Sequence, residues 1–69
     1  MSAAVMQELL AEWQPIGKRF EDLAAIIRSP GRNTKDGVCY RFEDGTGGIE
    51  FQFSVKEGII TSVMVLGIE

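Results

Sequence analysis

Few residues of this 69-residue chain are of the types that carry out chemistry. It has no histidine and one cysteine, Cys39, so a zinc site, a cysteine nucleophile and a serine triad each lack a required partner. The carboxylates Glu21 and Asp22, like Glu43 and Asp44, are adjacent in sequence, and adjacent side chains diverge on a helix. We therefore expect no catalytic, cofactor-binding or metal-binding residue and predict that the chain is not an enzyme. A small ligand-binding domain or carboxylate-dependent enzyme is the alternative.

The glycine-rich segment 43–53, EDGTGGIEFQF, has the composition of a phosphate or metal loop. Phosphate-cradling glycines open a helix, often with a lysine, whereas these open an alternating apolar run and the next lysine is Lys56. Calcium needs acids spaced along the loop, and the two acids here are adjacent. The pattern instead predicts the bend of a β-hairpin, with positive φ angles at Asp44-Gly45 and Gly47-Gly48.

Two amphipathic helices are predicted ahead of this hairpin. Residues 2–14 carry apolar side chains at helical spacing, with Ser2 as a cap and with Pro15 and Gly17 ending the helix. The inner side of a second helix consists of Phe20, Leu23, Ala24, Ile26 and Ile27. The connector 29–37, SPGRNTKDG, ends that helix.

From Val38 onward the apolar period changes from 3.6 to 2, which predicts strands. The three predicted strands are 38–42 (VCYRF), 49–55 (IEFQFSV) and 59–66 (IITSVMVL). Their loops are too short for parallel crossovers, so neighbouring strands must be antiparallel. We predict one α+β domain over residues 1–69, in the order α-α-β-β-β, with both helices on one face of a three-stranded meander.

The third predicted strand is apolar on both sides. Strict alternation directs one set of residues to one face (Ile59, Thr61, Val63, Val65) and a second set to the other (Ile60, Ser62, Met64, Leu66). Such a strand usually has something covering both sides. The second apolar side could be covered in two ways. One is a homodimer contact, and the other is a segment of the same chain, either the N-terminal helix or residues 67–69.

Charge and cysteine content set expectations about partners and compartment. The net charge of −3 argues against general affinity for nucleic acid or an anionic membrane. The single cysteine allows no intramolecular disulfide, and residues 1–13 read as neither a signal peptide nor a membrane span. We expect a cytoplasmic protein with no nucleic-acid or membrane partner.

The chain beyond Pro15 resembles the small module of the SmpA/OmlA outer-membrane assembly lipoproteins and the β-lactamase inhibitory proteins. The resemblance rests on IGKRFEDLAAIIRSP followed by GVCYRF, IEFQF and EGIITSV. Counted from Gly17, the family spacing places apolar residues and a proline at Leu23, Ile26, Ile27 and Pro30. Arg28 stands where the family has glycine. The resemblance implies a module that presents a sheet face to another protein and carries out no chemistry itself.

The outward side of the predicted sheet is the candidate partner-binding surface. Its residues are Arg41, Glu50, Gln52, Ser54 and Met64. We predict a small non-catalytic protein-protein interaction module with an unknown protein partner, with a homodimer through the third strand as one form of it. An inhibitor or immunity-type protein that neutralises a specific enzyme is the alternative.

Overall fold

The computed structural model describes residues 2–43 and 47–68. They form two helices, α1 (Ala3–Trp13) and α2 (Phe20–Ile27), and four strands, β1 (Arg32–Asn33), β2 (Gly37–Glu43), β3 (Gly48–Lys56) and β4 (Ile59–Ile68). The strands make one antiparallel sheet in the order β1-β2-β3-β4. The predicted α+β class and antiparallel strand order are confirmed.

The sheet has four strands, so the predicted count of three is wrong. The additional strand, β1, pairs with β2 through Arg32↔Cys39 and Asn33↔Val38. It lies inside the segment 29–37, which the sequence predicts as a connector. Two residues are too few to show an apolar period, and for that reason the pattern of the sequence does not reveal this strand.

Helix α1 begins and ends as its sequence predicts. The backbone N–H of Val5 donates to Ser2 Oγ at 3.3 Å, which satisfies one of the free donors of the first turn. At the other end Gln14 takes a left-handed conformation (φ 53°), and its N–H donates to the Leu10 carbonyl. The buried Pro15 follows and cannot continue the helix.

Helix α2 has no side-chain cap at its start and ends on a left-handed residue. It follows Arg19, whose side chain makes no capping hydrogen bond, while Glu21 and Asp22 occupy the first turn. Acids there interact favourably with the helix dipole. Its last turn closes on Arg28, which is held at φ 63°, a left-handed conformation that glycine adopts at lower cost.

Two hairpins join the three long strands. Strand β2 pairs with β3 from Gly37↔Ser54 to Glu43↔Gly48, so the glycine-rich segment does connect a hairpin, although Asp44, Gly45 and Thr46 lie outside the described residues. Gly47 has φ 149°. The predicted positive φ at Gly48 is wrong, because Gly48 is the first residue of β3, and a Cβ there would lie 2.5 Å from the Phe42 carbonyl oxygen.

The turn between β3 and β4 is tight. Its two central residues, Glu57 and Gly58, have φ of 53° and 80°. Two successive positive φ angles are typical of a type I′ turn, whose twist matches that of the strands it joins.

Strand β4 departs from strict alternation because it contains a β-bulge. The register changes between Ser54↔Ser62 and Val55↔Ile60, which leaves Thr61 as an extra residue. The hydroxyl of Thr61 donates to the Ser54 carbonyl at 3.2 Å. The predicted division of this strand into two faces is therefore wrong for Ile60, which shares a face with Val63 and Val65, and for Ile59, which lies on the opposite face.

The core lies between the two helices and the face of the sheet that they cover, here called the inner face. Its buried side chains are Met6, Leu23, Val38, Tyr40, Phe51, Phe53 and Ile60. The Tyr40 ring meets Phe53 edge to face at 5.9 Å, and its hydroxyl donates to the Ser29 carbonyl at 2.7 Å. That bond ties the segment after α2 to the sheet. Burial raises the pKa of Tyr40 to about 12.

Candidate interaction surface

The opposite side of the sheet, here called the outer face, carries all five predicted binding residues. Cross-strand pairing places Arg41 beside Glu50 and Gln52 beside Met64. Ser54 lies next along β3, opposite Ser62. The structure thus brings the five residues onto one surface spanning three strands, and their role in binding stays a prediction.

Polar side chains on the outer face already bind one another. Gln52 Nε2 donates to Glu50 Oε2 at 2.7 Å, and Arg41 Nε lies 3.0 Å from Glu43 Oε1. The Arg41 and Glu43 side chains are 47% and 60% exposed, so this ion pair adds little stability. The ion pair holds both charges at the surface. A partner that docks there would contact two charges that neutralise each other.

Cys39 also lies on the outer face, and the sequence gives no sign of its surroundings. It is the partner of Gln52 on β3 and of Arg32 on β1, and it is only 5% exposed. Burial raises the pKa of the Cys39 thiol, and the nearby charge of Glu50 and a hydrogen bond to it act in the same direction. A thiol with a raised pKa is a poor nucleophile, and Cys39 fills a buried position in the sheet.

The outer face becomes apolar towards β4. Met64 is 56% exposed and Leu66 37% exposed, and Val65, on the inner face between them, is 51% exposed. Met64 is among the candidate residues predicted from the sequence, whereas its neighbours Val65 and Leu66 are not. The absence of any charged residue from 59 to 68 is the signal that marks the whole stretch.

A groove on the inner face continues this apolar surface towards α1. It has a volume of about 410 Å³. Its lining consists of Gln7, Leu10, Ala11, Pro15, Ile16, Phe51, Val63 and Val65. Ile16 is 58% exposed at its rim. The lining includes no acid, base or cysteine, so the groove can offer apolar contact and no acid-base chemistry.

The described ranges 2–43 and 47–68 contain neither a group of metal-binding side chains nor a membrane-crossing helix. Within these ranges, no three His, Cys, Asp or Glu side chains come together in a group that could hold a metal ion. Likewise, neither α1 nor α2 has the length and apolar character that a membrane-crossing helix needs. The prediction that the chain is not an enzyme stays a prediction.

Comparison with known proteins adds no relative. No family model matches the chain, and neither the curated proteins nor the solved structures gave a match. The resemblance to the SmpA/OmlA and β-lactamase-inhibitory modules therefore stays a prediction, and the function has to be argued from the surfaces just described.

Proposed function

We propose that this chain is a non-catalytic protein-protein interaction module that binds through the outer face and through β4. The observation that carries the proposal is the exposure of Met64, Val65 and Leu66 on consecutive positions of one strand. Exposed apolar residues that adjoin a polar surface are typical of sites where another protein docks. An ordinary solvated strand carries polar residues, and none lies between Ser62 and Glu69.

Polar residues of the outer face provide the specificity of this binding. Arg41, Glu50, Gln52 and Ser54 lie beside the apolar stretch and provide charges and hydrogen-bonding groups. Interfaces commonly combine an apolar centre with a polar rim in this way. A homodimer contact through β4 is one form of this binding. We also propose a cytoplasmic setting, supported by the single cysteine, Cys39, which is buried and unpaired.

An inhibitor or immunity-type protein is the second candidate. The net charge of −3 and the apolar strand with a charged neighbourhood suit a small protein that covers a basic enzyme site. It differs from the first candidate in its readout: the captured partner is an enzyme, and its activity falls in proportion to the amount of this chain that is added.

Affinity capture with matched variants tests the proposed function. Three tagged proteins are compared: the wild type, Met64→Lys on β4, and Ile26→Lys on α2. Ile26 is 45% exposed, so its predicted place on the inner side of the helix is wrong and it serves as a surface control. We expect a protein, either another chain or an untagged copy, that the wild type and Ile26→Lys retain and Met64→Lys loses. Purified partner then has to bind with the same order of affinities. Equal retention by all three proteins, or no retention above bare matrix, rules out the proposal.

A further inference from the structure

The outer edge of β4 is divided into a closed part and an open part. Near its start, Ile60 donates its N–H to the Lys18 carbonyl at 2.9 Å and accepts from the Gly17 N–H at 2.8 Å. Arg19 forms an antiparallel bridge with Ile59. Beyond Thr61, no segment among the described residues pairs with this edge. The open part therefore runs from residue 62 to residue 68.

The phase of the backbone hydrogen bonds shows which groups the open part presents. The Val55 N–H donates to the Asp36 carbonyl, so the odd-numbered residues of β3 bond towards β2 and the even-numbered ones towards β4. On β4, the even-numbered residues of β3 lie opposite Ser62, Met64 and Leu66. These three residues are therefore hydrogen-bonded to β3. The residues directing N–H and C=O groups to the open edge are Val63, Val65 and Gly67.

The open part lacks the features that normally prevent strand pairing. Edge strands are usually short or carry lysine, proline or inward-pointing charges. Residues 62–68, SVMVLGI, contain neither a charge nor a proline. The bulge at Thr61 lies before this stretch, and the register with β3 is regular from Ser62 to Ile68. The open part thus offers a second strand an apolar ladder of regular register, whose donors and acceptors no described segment pairs.

We infer that β4 pairs antiparallel with β4 of a second copy, about a two-fold axis at Val65, so that two four-stranded sheets become one. The inference rests on the proposed function and names its partner. A two-fold contact needs a self-complementary surface, in which residue i meets j and j meets i. The uncharged stretch 62–68 meets this condition with itself and offers no charge that a charged partner strand could match.

The closed part of the edge sets the register of the two copies. A residue whose N–H and C=O groups point to the open edge must lie opposite another such residue. The two-fold axis therefore passes through a residue and not between two neighbouring residues. An axis at Met64 would place residue 68 of the second copy opposite Ile60, where Lys18 is already bound. An axis at Val65 places residue 68 opposite Ser62, uses only the open part and pairs all of it, whereas an axis at Leu66 would leave residues 62 and 63 without partners among residues 62–68.

This register makes specific contacts on both faces. Val65 faces Val65 of the second copy as a hydrogen-bonded pair, and Val63 faces the second copy's Gly67. On the outer face, Met64 lies opposite Leu66 of the second copy, and the symmetric contact repeats it. These are non-hydrogen-bonded pairs, whose Cα atoms approach to about 4.5 Å, so two exposed apolar side chains of the outer face cover each other.

Sedimentation of a lysine variant tests the contact. Val65→Lys places two ammonium groups opposite each other at the axis, while its aliphatic stem retains the packing of the half-exposed valine within one copy. We expect the wild type to dimerise and the dissociation constant of Val65→Lys to rise at least about tenfold. Ile26→Lys, at similar exposure on α2, keeps the wild-type constant, and circular dichroism of all three proteins reports that they are folded. A dimer that tolerates Val65→Lys overturns the inference.

Disulfide trapping tests the register independently of stability. Met64→Cys and Leu66→Cys proteins of different tag length are oxidised separately and as a mixture. Non-hydrogen-bonded cross-strand pairs lie within disulfide reach, so the mixture forms a heterodimer, while each protein alone forms at most about a tenth as much dimer. The wild type, whose Cys39 is 5% exposed, is the background control. Efficient trapping of Met64→Cys alone, or no trapping in the mixture, overturns the proposed axis.

The two proposals fail in different ways. If the wild type sediments as a monomer at every concentration but retains another protein that Met64→Lys loses, the second-copy inference is overturned and the interaction function stands. If it is monomeric and retains nothing, both are overturned. A trapped heterodimer together with a Val65-dependent dissociation constant supports both.

Discussion

The two edges of the sheet differ in every property that governs strand pairing. β1 is two residues long, is exposed, and contributes Arg32 with Lys35 close behind. β4 is ten residues long, and no residue from Ile59 to Ile68 is charged. Short length and positive charge discourage an incoming strand, whereas length and apolar character favour one. The same small sheet therefore has one protected edge and one unprotected edge.

The difference extends to what each side contributes to the folded chain. Near β1, the Ser29 carbonyl accepts from Tyr40, and Gly31 packs against Val38 and Tyr40. Near the end of β4, Val65 and Leu66 remain exposed. Because of these contacts, the β1 side is a determinant of stability, while the exposed β4 side is available for association. Changes on the β1 side should alter the free energy of unfolding and leave self-association unchanged.

A matched pair of glycine substitutions should give the largest contrast. A Cβ at Gly31, where φ is 70°, would lie 2.5 Å from Val38 Cγ1 and 2.9 Å from Tyr40 Cζ. At Gly67 nothing lies within 4 Å of the corresponding position. We expect Gly31→Val to lower the unfolding free energy by about 3 kcal/mol or more and Gly67→Val to change it by less than about 0.5 kcal/mol. Urea denaturation at low protein concentration, followed by Trp13 fluorescence, measures both.

Equal losses at the two glycines would contradict the assignment of stability to the β1 side. Equal losses would also result if the backbone at Gly31 shifted to accommodate valine at no cost in free energy. Gly31→Ala distinguishes these two explanations. Alanine retains the strained φ but adds only the Cβ, so an intermediate loss is expected.

Alkaline pH should weaken the β1 side through Tyr40. Burial raises its pKa to about 12, so the neutral phenol is favoured in the folded chain. The corresponding stability is fully present below the unfolded pKa of about 10 and is lost as pH rises through about 12, to a total of about 2 kcal/mol. Urea denaturation across this range measures the loss. Because Tyr40 is the only tyrosine, absorbance of the tyrosinate reports its ionisation directly.

Tyr40→Phe is the control for this pH dependence. It should lack the alkaline loss that Tyr40 causes while retaining any loss due to lysines, and at neutral pH it should cost about 1 kcal/mol for the hydrogen bond to Ser29. An identical alkaline profile in the two proteins would show that Tyr40 is not responsible.

The smallest effect is expected at the end of α2, which leads into β1. Arg28 adopts φ 63°, a conformation that costs a residue with a Cβ more than it costs glycine. Arg28→Gly should raise the unfolding free energy by about 0.5–1 kcal/mol, whereas Arg28→Ala should give no gain. Denaturation midpoints of the two variants measure the difference. A dissociation constant that shifts with Arg28→Gly would count against the separation of the two edges.

Much of this fold is readable from the sequence, because most of its elements have a period. The spacing from Val5 to Trp13 predicts α1, and the alternation from Ile49 to Val55 predicts β3 with its polar outer side. The capping role of Ser2 and the stop at Pro15 are predictable because they depend on local bonding. The polar part of the candidate surface follows from the same alternation.

What the sequence does not show depends on the neighbouring strand. β1 is recognisable only through its pairing with Cys39 and Val38. The bulge at Thr61 is defined by a change of register against β3, and β4 alone carries no mark of it. Likewise, the burial of Cys39 and the pairing of Arg41 with Glu50 follow from the sheet register and not from local spacing.

The two-residue length of β1 has a consequence for the size of any assembly. A sheet with two receptive edges can add copies without limit and grow into a filament, whereas a sheet with one receptive edge has a valence of one. Arg32 and Asn33 offer too short a ladder for β4 of another molecule, and the part of β2 beyond them carries the charges of Arg41 and Glu43, so growth stops once two β4 strands have met. The protein can therefore keep a long apolar strand at its surface and still form a closed assembly.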